Sequence, residues 1–172
     1  MPTFTKYGLY LGLGLIIISL VSYFISPRFY LTWASWLGFV LYIVMMVMAV
    51  KEEKFNLGSI SFKGAFGQSW LTYVVGTLIA TIFAYIMMHF IDPTLMDMAI
   101  EIAKEAIEKM SGFLGEDAVE KALEAIDKQD TYSVFGFVKD YFIRLIFPGA
   151  IIALIIAAIM KNKSADAEPD FL

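Results

Sequence analysis

Four stretches of the chain carry almost no charge, and the charged residues collect between them. The first runs from about residue 7 to 25 and stops at Ser26-Pro27. The second runs from about 29 to 50, opening on Tyr30, Trp33 and Trp36 and closing on Lys51, Glu52, Glu53 and Lys54. The third covers about 66 to 91 and stops at Asp92-Pro93. The fourth covers about 138 to 160 and is closed by Lys161 and Lys163. A helix rises about 1.5 Å per residue, so about 20 apolar residues cross a hydrocarbon core of ~30 Å. The pattern predicts an all-α polytopic membrane protein, with four transmembrane helices in one bundle that makes up a single membrane domain over 1–172. The aromatic start of the second stretch suits the headgroup level. Ser61 is placed to cap the third helix.

The first stretch follows Lys6 near the N-terminus, as a signal peptide would. It is long, it ends in the bulky run Tyr23-Phe24-Ile25, and no small-residue cleavage site follows, so it reads as a span. The fourth stretch is the least regular. Its uninterrupted apolar part, residues 145–160, makes only about 24 Å of helix. The span therefore starts earlier, with Lys139 and Arg144 reaching towards the surface, and Pro148-Gly149 interrupts it.

Between the third and fourth spans, residues 92–131 hold eleven acidic residues against four lysines, a balance of −7 in a chain of net charge −4. This loop predicts helices. Asp92-Pro93 is a helix-opening pair. Met96, Ile100, Ala103, Ile107 and Met110 recur on one helical face. Ser111-Gly112 breaks that helix, and Val119, Ala122, Leu123 and Ile126 line a second. The expectation is two amphipathic helices over about 93–110 and 116–128, lying flat over the outer end of the bundle. Residues 164–172 read as a short polar tail.

Composition sharpens this picture. Hydrophobic residues make up 59% of the chain and mean hydropathy is +0.72, against 45–50% apolar in soluble domains. There are no cysteines, which excludes disulfides, thiolate chemistry and zinc-cysteine sites. Acidity argues against nucleic-acid binding. An even number of spans puts both termini on one side. The clusters abutting the ends of spans two and four, Lys51, Lys54, Lys161 and Lys163, make that side cytoplasmic by the positive-inside rule. The acidic loop is then outside.

Small residues recur at four-residue spacing in every span: Gly8 and Gly12; Ala34 and Gly38; Gly76, Ala80 and Ala84; Gly149, Ala153 and Ala157. Such stripes let helix backbones approach closely in lipid, where no hydrophobic effect drives association. They predict packing within the bundle, with a homodimer seam as the sharper alternative.

Ionisable groups inside spans are costly and often functional. Spans one to three show none at mid-depth, which counts against a proton- or ion-coupled carrier. Asp140 and Arg144, four residues apart, share a helix face and pair. They mark a pathway or partner contact, or a plain interfacial pair. His89, the lone histidine, and Asp92 stand at the outer end of span three, where a histidine could sense pH or stand as an interfacial polar residue. These four residues are the candidate polar or interaction site. The acidic loop lacks an EF-hand pattern, and nucleotide-binding and hydrolase motifs are also missing, so no catalytic residue, metal site or cofactor is assigned.

The stretch from Ile60 to Pro93 carries Ser61-Phe62, Ala65-Phe66, a small-residue span, Tyr85 and Phe90-Ile91-Asp92-Pro93. With the lysine-rich turn at Lys51–Lys54, the acidic loop and the closing Ile155-Ile156-Ala157-Ala158-Ile159, it resembles a bacterial family of uncharacterised four-span membrane proteins. The likeness covers nearly the whole chain. It implies the four-span topology and an inner-membrane address, and it brings no activity. Lys139, Asp140 and Arg144 depart from that family's more apolar start of span four.

Three functions fit these observations. The first is a non-catalytic accessory or scaffold protein that holds a membrane-protein partner, or a second copy of itself, through the bundle or the outer loop. The second is a small oligomeric channel or carrier. The third is a membrane enzyme acting on lipid or a lipid-linked glycan, with His89, Asp92 and Asp140 converging at the headgroup level.

Overall fold

The structure, a computed structural model, describes residues 1–128 and 133–162. The polar tail expected at 164–172 and the last residues of the loop, 129–131, lie outside those residues. Every regular element among the described residues is helical. In chain order they are α1 (Thr3–Ile25), α2 (Pro27–Thr32), α3 (Ala34–Leu57), α4 (Phe62–Ile86) with a π-helical turn Met87–Ile91, α5 (Thr94–Lys109), α6 (Ser111–Leu114), α7 (Glu116–Lys128), α8 (Val134–Arg144), a π-helical turn Leu145–Ala150, and α9 (Ile151–Met160).

Four helical stretches are long and apolar enough to cross a bilayer: Thr3–Ile25, Ala34–Leu57, Phe62–Ile91 and Val134–Met160. Only 22–28% of each apolar window is buried inside the protein. Most of each helix surface therefore faces outward as apolar side chains, Leu13, Ile17, Val21, Val40, Val44 and Ile155 among them. In water that exposure would be very costly; in lipid it is neutral.

The helices outrun the apolar stretches at several ends, for local reasons. The first begins at Thr3, not Tyr7, because the Pro2 carbonyl accepts from the N–H groups of Thr5 and Lys6 at 3.1 and 3.2 Å. The connection between spans one and two is not a bare turn. Pro27, fitted to a first helical position, opens the short helix α2, and the long helix starts only at Ala34. Tyr30 is buried there with its ring edge-on to Tyr23 at a centroid distance of 6.4 Å, and burial pushes its phenol up from the ordinary value. The helix α3 runs through Lys51–Lys54 to Leu57, because charges end an apolar span without ending its backbone hydrogen bonds. It stops at Gly58, whose φ of +76° is the left-handed conformation that glycine adopts without a Cβ penalty.

Ser61 acts as expected, its hydroxyl accepting from the Gly64 N–H at 3.2 Å. Along α4 the hydroxyls of Ser69, Thr72 and Thr77 each donate to the carbonyl four residues earlier, at 2.9, 2.7 and 2.7 Å. These three hydroxyls are thus satisfied within their own helix. Span four is broken where Pro148 sits: Phe147 leaves helical geometry at φ −130°, ψ 112°, and proline supplies no N–H to repair the ladder. Trp70 Nε1 donates to the Leu145 carbonyl in this irregular turn at 3.2 Å.

The described residues form two compact units, Met1–Phe83 with those from Asp140 on, and Ala84–Lys139. The core of the first gathers Met46, Val50, Ile60, Ala65, Tyr73, Leu145 and Ile156. Its small residues are its contact points. A Cβ on Gly8 would stand 2.6 Å from Val75 Cβ, one on Gly12 2.8 Å from Ile79 Cβ, and one on Gly76 2.5 Å from Leu11 Cγ. So α1 and α4 run parallel and interlock, each offering glycine where the other offers a branched side chain. Gly149 likewise faces the Tyr73 ring, with 2.5 Å from its would-be Cβ to Cε1.

In the second unit the loop is helical over Thr94–Lys109 and Glu116–Lys128. The break expected at Ser111-Gly112 is instead one short turn, Ser111–Leu114, and the chain turns at Gly115 with φ +82°. Leu95 and Val119 are its buried residues on α5 and α7. Met96, Ile100, Ala103 and Ile107 are half-buried, whereas Met110 is 48% exposed.

Candidate functional site: a polar clamp across the span ends

The densest polar arrangement joins residues far apart in the chain. Lys6, on the second turn of α1, places its Nζ 2.6 Å from both carboxylate oxygens of Glu52, near the end of α3. Tyr7 donates its hydroxyl to Glu52 Oε2 at 2.8 Å. Thr3 donates to Glu53 Oε2 at 2.6 Å. Two helices running in opposite directions bring these groups level, and a carboxylate taking an ammonium and a phenol is satisfied on both oxygens.

The other two spans join at the same ends. Lys54 Nζ donates to the Met160 carbonyl at 3.0 Å. Ile60, just before α4, and Asn162, just after α9, exchange hydrogen bonds: the Asn162 N–H to the Ile60 carbonyl at 2.9 Å, and the Ile60 N–H to Asn162 Oδ1 at 3.3 Å. Carbonyls at a helix end lack intrahelical partners; the Lys54 ammonium serves that of Met160, while the Asn162 side chain accepts from the backbone N–H of Ile60 ahead of α4.

The four residues singled out from sequence are placed as follows. Asp140 and Arg144 do pair, Nε to Oδ2 at 2.7 Å, with side chains 47% and 62% exposed. His89 is half-buried, stacked on Tyr85 at a centroid distance of 4.0 Å and edge-on to Phe137 at 5.9 Å. Its Nδ1 lies 3.1 Å from the Tyr85 carbonyl; a carbonyl only accepts, so this nitrogen carries the proton. Asp92 Oδ1 accepts from the Thr94 N–H at 3.1 Å and the Thr94 hydroxyl at 2.5 Å. Asp92 thus serves the start of α5, with Pro93 ahead of the helix proper. His89 and Asp92 belong to the second unit, Asp140 and Arg144 to the first. Among the described residues no three metal-ligating side chains gather in a cluster.

Sequence reading missed the clamp. Lys6 and Glu52 stand 46 positions apart, each at a span end where a charge needs no partner. The available signal was their common side: once four spans are set, Lys6 and Lys51–Lys54 fall at the same end.

These features define a multi-pass membrane protein in which several span-end polar groups are engaged with one another. The chain belongs to the family described as protein of unknown function (DUF4199), whose model matches residues 6–162. No curated protein and no solved structure matches it.

Proposed function

We propose that this protein is a non-catalytic accessory or scaffold protein of the bacterial inner membrane, with both termini cytoplasmic and the acidic helical unit outside, where it docks a membrane-protein partner through a basic surface. The observation that carries this reading is the face of α5. Asp97, Glu101 and Glu108 are exposed on one side of the helix and line, with Ile100, Lys104 and Glu105, an open groove of about 510 Å³. A net negative field on a folded helix steers an oppositely charged partner and fixes its register. The apolar side of α5 then serves the packing of its own unit, which makes the helix amphipathic in role.

Purification of the tagged full chain from its native membrane in mild detergent tests the docking. A stoichiometric partner is expected with the wild type and is lost in Asp97→Lys/Glu101→Lys/Glu108→Lys, a variant that changes only exposed side chains. A partner that survives the reversal, or a chain that purifies alone, sinks the reading and favours the channel or enzyme alternatives.

The orientation has its own measurement, made clean by the lack of cysteine. Gly112→Cys, exposed in the acidic unit, is expected to react with a membrane-impermeant maleimide on intact cells. Ser59→Cys, exposed after α3, reacts only after permeabilisation. The reverse pattern would invert the topology.

A further inference from the structure

We infer that an anionic phospholipid binds in the groove between α3 and α9, its acyl chain along the groove and its phosphate on Lys51. The groove measures about 250 Å³ and is lined by Val47, Ile156, Ile159 and Met160, with Lys51 as its one charged residue. Val47 and Lys51 lie one helical turn apart on α3, so the methylene stem of Lys51 continues the apolar floor of the groove.

The charges around Lys51 point the same way. The acids that neighbour it in sequence are turned elsewhere, Glu52 to Lys6 and Tyr7, and Glu53 to Thr3. Lys54, towards α9, is held on the Met160 carbonyl, and Lys161 lies over the Phe62 ring at 5.7 Å. Lys51 itself is exposed and has no ion pair among the described residues. The groove thus ends in a field of cations with its own lysine uncommitted, at the end of the spans where headgroups lie. A hydrocarbon chain takes the apolar walls without cost in a bilayer, so discrimination comes from the headgroup. A basic residue near the surface favours an anionic lipid by a factor of about five.

Native mass spectrometry of the full chain in neutral detergent, with equal amounts of phosphatidylglycerol and phosphatidylcholine of matched chains, reads this out. The wild type is expected to retain one phosphatidylglycerol at about fivefold preference. Lys51→Gln removes the preference, and Lys63→Gln, at the same end but outside the groove, keeps it. Ile159→Trp, at the exposed rim, blocks retention of both lipids without disturbing the core. No preference in the wild type, or one that survives Lys51→Gln, overturns the site. Competition by soluble glycerophosphate at equal concentration also overturns it, because the site would then bind a phosphate and not a lipid.

Discussion

Gly76→Leu is expected to unfold the four-span unit, with Gly76→Ala already measurably weaker than the wild type. The would-be Cβ stands 2.5 Å from Leu11 Cγ and Cδ2 and 2.8 Å from Leu11 Cβ. A side-chain tip can rotate away, but a Cβ moves only with its helix, and Leu11 is fully buried. Relief therefore means separating α1 from α4, which also lifts Val75 and Ile79 off Gly8 and Gly12. Overpacking of this kind costs about 1–3 kcal/mol for the smaller change and more for leucine. Thermal unfolding in detergent and monodispersity on size exclusion would measure it. The contact is tested by the cycle with Leu11→Ala. That variant opens space in front of residue 76, so Leu11→Ala/Gly76→Ala should recover about 0.5–3 kcal/mol relative to the sum of the single changes. Strict additivity would mean that Leu11 and Gly76 do not meet.

Reversal of Glu52 is the second large effect. Glu52→Lys sets two ammonium groups against each other where Lys6 now has both carboxylate oxygens, and strips Tyr7 of its acceptor. Most of the monodisperse fraction should be lost. Lys6→Glu should do the same by opposing two carboxylates. The exchange Lys6→Glu/Glu52→Lys restores the pair and most of the yield, though Tyr7 then lacks the acceptor it had. Exchange no better than either single reversal would show that the clamp does not hold spans one and two together. Lys63→Glu, at the same end with an exposed side chain, is the control for a general effect of charge.

Much of the architecture follows from local composition. An apolar run of about 20 residues has few stable arrangements other than a spanning helix, since every backbone group must be satisfied inside the segment. The four spans, the helices of the acidic loop and the cap by Ser61 are therefore readable along the chain. The Asp140–Arg144 pair is readable too, because helical geometry alone sets a contact four residues long. Helix ends were less so. Lys51–Lys54 mark the end of apolar character, while α3 continues to Gly58, where a left-handed residue stops it. The short helix α2 and the break at Phe147 depend on how the chain re-enters and packs, which hydropathy does not record.

Partnership between distant elements was decided by the tertiary structure alone. Small residues stripe all four spans, so the sequence offers several equivalent seams and no rule for matching them. Leu11 reaches Gly76 and the Tyr73 ring reaches Gly149 because of helix direction, rotation and register, which no single helix contains. Lys6 and Glu52 were each legible as a charge at a span end. That the two meet, and that Lys51 beside them is left facing an apolar groove, depends on bringing together segments 46 residues apart. Composition determines that a segment lies in the membrane, because that is a property of its own surface; what it touches there is a property of pairs of surfaces, settled only when the helices pack.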